Sequence, residues 1–122
     1  MTAVLVVDDE AFAAEETAEA LEAAGIEARW CSDPITALQL AEHPDIALVI
    51  TDLRMPVLDG ACLIERLRAA RPHLRFIVVT GHASAVDGDA AQGDGIVGCF
   101  RKPVDVAMLA AAAQTALRES GQ

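Results

Sequence analysis

Polar residues stand where the apolar runs of this chain stop. "AVLVV" (Ala3–Val7) ends on Asp8 and Asp9, and "IALVIT" (Ile46–Thr51) ends on Asp52. "FIVV" (Phe76–Val79) ends on Thr80, and "IVGCF" (Ile96–Phe100) leads through Arg101 to Lys102. If those ends meet, three carboxylates, a hydroxyl and an ammonium share one site. Like charges about 4 Å apart repel by about 4 kcal/mol at an effective dielectric near 20, so three acids together invite a cation. Oxygen-only donors suit a hard ion, and Mg²⁺ takes one or two carboxylates while keeping several waters. Lys102 adds a second positive charge. An anion brought there would be held by metal, ammonium and the Thr80 hydroxyl together, which is the arrangement phosphoryl transfer needs. A carboxylate such as Asp52 can then act as nucleophile and carry an aspartyl-phosphate.

The elements that must position these residues alternate along the chain. The strands are Ala3–Val7, Glu27–Cys31, Ile46–Thr51, Phe76–Val79 and Ile96–Phe100. Between them, Ala11–Ala24 places Ala14, Ala18 and Leu21 on one helical face, and Gly25 stops it. "SDP" at Ser32–Pro34 supplies a cap and a first-turn proline for a helix through Glu42. Gly60–Ala70 is a helix closed by Arg71-Pro72, and Val104–Glu119 is the last one. Three of the strands are continuous apolar runs, as strands covered by helices on both faces should be. The second is short and polar, which suits an edge. The spacing predicts an α/β fold: a doubly wound five-stranded parallel sheet in the flavodoxin-like order 2-1-3-4-5. Ligands bind such sheets beyond the carboxyl ends of the strands, where Asp8, Asp9, Asp52, Thr80 and Lys102 fall.

Bulk properties exclude several classes. The 122 residues make one domain with one good core, and no apolar run approaches the roughly 18 residues of a membrane span. The formal net charge of −10 opposes binding to a phosphate backbone, so no direct nucleic-acid partner is expected. Cys31, Cys62 and Cys99, three and widely spaced, read as reduced packing residues of a cytoplasmic protein. Taken singly, each candidate also has an ordinary role. Asp8 and Asp9 could cap the next helix, Asp52 could open an Asx-turn, Thr80-Gly81 is turn chemistry, and Lys102 alone is a surface lysine. Asp59-Gly60 and Pro56 read as loop-shaping, His82, His43 and His73 as loop residues, and Trp30 as half-buried packing on the edge strand.

"VLVVDDE", "TDLRMPVLDG", "VVTGHAS" and "FRKPVD", in that order and over nearly the whole chain, resemble the receiver domain of two-component response regulators. The resemblance implies that Asp52 accepts phosphate from a histidine kinase or a histidine phosphotransfer protein. It implies that Asp8, Asp9 and Asp52 hold Mg²⁺, for which Mn²⁺ can substitute, with the backbone carbonyl of Arg54 as a further ligand. Thr80 would bond the phosphoryl group and Lys102 would pair with it, with the Lys102-Pro103 bond cis. Such a domain is not a conventional enzyme. It catalyses its own phosphorylation and dephosphorylation and presents the surface of its fourth helix, fifth strand and last helix to a downstream protein target. Residues 1–122 read as a single receiver without an output domain or a membrane partner. Small residues at Ala107, Ala110–Ala113 and Ala116 suit the last helix to a docking face or a weak homodimer.

Two positions depart from the family pattern. Receivers carry an aromatic residue three before the lysine, where this chain has Cys99; Phe100 is adjacent, but strand neighbours point to opposite faces. The segment Ser84–Gly95, which should supply the fourth helix, holds three glycines and three aspartates, and each interior glycine costs about 1 kcal/mol against alanine. A degenerate receiver acting as a phosphorylation-independent binding module therefore stays open. So does a small Mg²⁺-dependent aspartyl phosphatase of the haloacid dehalogenase type. That class carries a second aspartate two residues after the nucleophile, where this chain has Arg54.

Overall fold

The computed structural model describes residues 2–53, 60–81 and 95–120. Along the chain run β1 (Ala3–Val7), α1 (Ala11–Ala23), β2 (Ala28–Cys31), α2 (Pro34–Leu40), β3 (Ile46–Asp52), α3 (Gly60–Ala70), β4 (Arg75–Thr80), β5 (Ile96–Arg101) and a C-terminal helix (Val106–Ser120). All neighbouring strands pair in parallel, in the order β2-β1-β3-β4-β5. This is the expected flavodoxin-like sheet, with the polar β2 at an edge. Arg54, Pro56, Asp59, His82 and the segment 84–94 lie outside the described residues.

Strand alternation divides the core in two. On one face Leu5, Val7, Val49, Phe76 and Val78 pack with Ala37 of α2 and Leu63 and Leu67 of α3. On the other, Val4, Val6, Ile50, Ile77 and Val79 meet Ala14, Ala18 and Leu21 of α1 and Leu109, Ala113 and Ala116 of the C-terminal helix. The apolar runs are continuous because both strand faces are covered, and each fully buried Val, Leu or Ile contributes about 1.5–3 kcal/mol. Cys99 packs on the first cluster and Phe100 on the second, so Phe100 does not take over the position of Cys99. None of the three cysteines forms a disulfide. Cys31 is buried, but Cys62 is exposed on α3, which corrects its reading as a packing residue.

Element ends differ from expectation for local reasons. The C-terminal helix starts at Val106 rather than Val104, because Asp105 Oδ1 accepts from the Ala107 and Met108 N–H groups at 3.0 and 3.3 Å. Asp33 caps α2 in the same way, its carboxylate taking the Ile35 and Thr36 N–H groups. α2 stops at Leu40 instead of Glu42. Beyond Leu40 the backbone tightens to the three-residue bonds Glu42 N–H to Gln39 O and His43 N–H to Leu40 O. Arg71, beyond α3, sends Nη1 to the carbonyls of Ala41, His43 and Ile46 at 2.8, 3.2 and 2.6 Å. Gly25, at φ +86°, ends α1 as its position requires. β3 and β4 run one residue further than expected, through Asp52 and Thr80. No helix among the described residues is long and apolar enough to cross a membrane.

Candidate functional site

The sheet order sets β1 and β3 side by side, with Val7 opposite Thr51, so the residues following each come together. Carboxylate oxygens of Asp8, Asp9 and Asp52 all lie within 4.8 Å of one another. Asp8 and Asp52 are buried, only 8% and 7% exposed, while Asp9 opens to solvent. From β5 the chain passes to Lys102, whose Nζ donates to Asp52 Oδ2 at 2.7 Å and to Asp8 Oδ2 at 3.3 Å. The Lys102–Pro103 peptide is cis, as expected. Thr80 is fully buried at the end of β4, one residue beyond Val79, the register partner of Asp52. Its carbonyl accepts the Lys102 N–H at 2.8 Å, which ties the lysine's backbone to the rim.

Asp8 has two tasks. Its Oδ1 accepts the Glu10 N–H at 3.0 Å, so it also shapes the turn into α1. Burial pushes the Asp8 carboxyl above its usual pKa, against the Glu10 bond and the Lys102 charge, which pull it down. Partial burial works against the charge on Lys102, but its hydrogen bonds to Asp52 and Asp8 and their charges outweigh it and raise its pKa. The ammonium is therefore firmly charged, while desolvation falls on Asp8. Three acids against one ammonium leave the cluster short of positive charge. Hard oxygen donors at this spacing fit a divalent cation.

Gly60 has a part that sequence reading missed. A Cβ built there would overlap the Asp52 carbonyl oxygen and sit 2.8 Å from the Leu53 Cα. The start of α3 thus rests directly on the backbone that carries Asp52, and the Gly60 N–H donates to the Leu53 carbonyl at 2.9 Å. The only signal in the sequence was a glycine at a helix start.

Residues 4–114 match the family model for the response regulator receiver domain. The chain belongs to the response regulator receiver domain family. A relative, the response regulator receiver protein Anae109_2439 of Anaeromyxobacter sp. (strain Fw109-5), is 35% identical over 106 residues, 87% of this chain and 44% of that protein. The transcriptional regulatory protein FixJ of Azorhizobium caulinodans is 30% identical over 119 residues, 98% of this chain and 56% of its own. The chain therefore spans about half the length of these curated relatives. A crystal structure of a response regulator receiver domain protein from Clostridium thermocellum superposes with a TM-score of 0.89 at 29% identity, covering 99% of this chain and 98% of that one. For a receiver, the cluster of Asp8, Asp9 and Asp52 is the acidic pocket of a phosphoryl-accepting switch. Of the residues singled out in the sequence, the structure brings Asp8, Asp9, Asp52 and Lys102 into direct reach and sets Thr80 on the neighbouring strand end.

Proposed function

We propose that Asp52 is the phosphoacceptor of this receiver and takes its phosphoryl group from a histidine of a histidine kinase or phosphotransfer protein. The observation that carries this reading is the Lys102 ammonium held 2.7 Å from one Asp52 oxygen, on a buried rim with two further carboxylates. In the transfer, an Asp52 oxygen forms the new O–P bond as the donor's N–P bond breaks, and the imidazole leaves with the electron pair. Lys102 is already in place to follow the charge from the carboxylate to the phosphoryl oxygens, and the Thr80 hydroxyl supplies a hydrogen bond. Asp8, Asp9 and Asp52 would hold Mg²⁺, or Mn²⁺ in its place, which would neutralise charge on the transferring group; the resemblance adds the backbone carbonyl of Arg54, outside the described residues, as a further expected ligand. Hydrolysis at the same site returns Asp52 to its carboxylate, so the domain promotes both its own phosphorylation and its own dephosphorylation.

The switch acts in the cytoplasm on a protein target, not on nucleic acid. Phosphorylation draws Thr80 and Lys102 inward and alters the surface of β5 and the C-terminal helix; the Ser84–Gly95 segment, whose residues 84–94 lie outside the described ones, is expected to respond with them. Of the small residues read as a docking face, Ala110, Ala113 and Ala116 are buried in the core, so a weak homodimer through the C-terminal helix would use its exposed side at Val106, Ala107, Met108 and Ala111. Hydrogen exchange with and without beryllofluoride should change most in Gly81–Gly98, and a response confined to another surface would move the output elsewhere. The acceptor itself is tested by incubation with acetyl phosphate and Mg²⁺ followed by intact mass. The parent should gain one phosphoryl group and Asp52→Asn none; equal gain by both would remove Asp52 from the role.

A further inference from the structure

Asp8, Asp52 and Lys102 also form one end of a cavity of about 540 Å³. It lies between α1 and the C-terminal helix, on the sheet face where strand alternation places Val6, Ile50 and Val79. Those three side chains belong to the apolar core, and with Leu109 they make the floor apolar. α1 lines this side with Ala13, Glu16 and Thr17, and the short Ala13 and Thr17 side chains leave the cavity its width. The Thr17 hydroxyl donates back to the Ala13 carbonyl at 2.9 Å, so it is satisfied within the helix and asks nothing of the cavity. The volume lies within the roughly 300–1,000 Å³ of small-molecule sites, which pair an apolar lining with a few placed polar groups.

Charge selects among ligands. Asp8, Glu10, Glu16 and Asp52 line the cavity, and Lys102 is the one cation among its described lining residues. That lysine is already shared between Asp52 and Asp8. An anion entering would face an excess of carboxylates, and a neutral molecule would gain from the floor alone. We propose that this cavity binds a small amphiphilic cation, an ammonium or amidinium group on a compact apolar body. The body lies over Val6, Ile50 and Val79, and the cation faces the carboxylates at the mouth. A divalent cation at Asp8, Asp9 and Asp52 would compete with it through charge, so the ligand and the metal oppose each other. This site needs no phosphoryl chemistry and stands whether or not Asp52 is the acceptor.

The test is an amide NMR titration of the ¹⁵N-labelled chain with no phosphodonor present. Three probes share one ring: phenethylamine, phenethyl alcohol and 3-phenylpropionate. The amine should move the Val6–Asp8, Ala13–Thr17 and Val104–Leu109 amides saturably and bind about tenfold tighter than the alcohol. The carboxylate should show no saturable shift, and millimolar Mg²⁺ should weaken the amine. Ala13→Leu fills the cavity and should weaken the amine about tenfold. Glu16→Gln, an exposed change that leaves the packing alone, should weaken it by a smaller factor, and Thr17→Val should bind like the parent. Equal affinity for amine and alcohol would overturn the charge assignment. Parental amine binding by a folded Ala13→Leu, or shifts confined to another surface, would overturn the cavity itself.

Discussion

Gly60→Ala sets two known effects against each other. By propensity alone, alanine in a helix is favoured over glycine by about 0.5–1 kcal/mol, so a surface helix would gain. At this position the new Cβ would overlap the Asp52 carbonyl oxygen and lie 2.8 Å from the Leu53 Cα, where ordinary contact begins at 3.4 Å. Both neighbours are backbone, so no side chain can swing aside. Either α3 lifts and strains the 2.9 Å bond from the Gly60 N–H to the Leu53 carbonyl, or the end of β3 moves. Overpacking of this kind costs about 1–3 kcal/mol, and backbone against backbone belongs at the upper end. The net is a loss of about 2 kcal/mol, or roughly 5–10 °C in Tm for a domain of this size. Because Asp52 rides on the displaced backbone, labelling by acetyl phosphate should also slow. Gly25→Ala is the control: its Cβ meets nothing, and its cost comes only from φ +86°. It should lower Tm while labelling proceeds as in the parent. Thermal unfolding by circular dichroism and intact mass read the two effects separately. A Gly60→Ala chain with parental or raised Tm and a parental labelling rate would refute the close-approach argument.

Mg²⁺ should raise Tm by linkage, by the equivalent of about 2.7 kcal/mol at a hundredfold excess over Kd, and Asp9→Ala should abolish the rise; an unchanged response would remove Asp9 from the metal site. Arg71→Ala should cost about 2 kcal/mol in urea unfolding at unchanged m, since one charged donor serves three carbonyls of the α2–β3 connection. An unshifted midpoint would mean that water replaces it without loss. The Asp33 carboxyl sits below its usual 3.8 because it accepts the Ile35 N–H and bonds Thr36. A depressed pKa contributes stability above the unfolded value that is lost as pH falls through the folded one. Asp33→Ala should therefore lower Tm at neutral pH, with the gap from the parent closing in acid below 3.8; a gap constant with pH would show that the cap acts without its charge.

Periodicity and punctuation alone determined the fold. Val4–Val7, Leu48–Ile50 and Phe76–Val79 are apolar without alternation, which only a strand covered on both faces tolerates, and the handedness of crossovers then limits the strand order. From that order it followed that Asp8, Asp9, Asp52, Thr80 and Lys102 share a rim, because all of them stand at carboxyl ends of parallel strands. The opposite facing of Cys99 and Phe100 was legible for the same reason, a side-chain period of two. Tertiary structure decided the rest. Lys102 meets Asp8 across 94 residues of chain and Asp52 across 50, and Arg71 meets Ala41 across 30, and no local pattern encodes such distances. That Arg71, where α3 stops as read from the sequence, is also a clamp depends on where the α2–β3 connection lands. That Gly60 is a bearing surface depends on how near α3 comes to β3. The cavity beside α1 exists because Ala13 and Thr17, unremarkable helix residues in sequence, face Val104 and Leu109 from an element more than 80 residues away. Short-range patterns specify which face of each element is buried; the spacing between two buried faces is set only when both side-chain sets have packed.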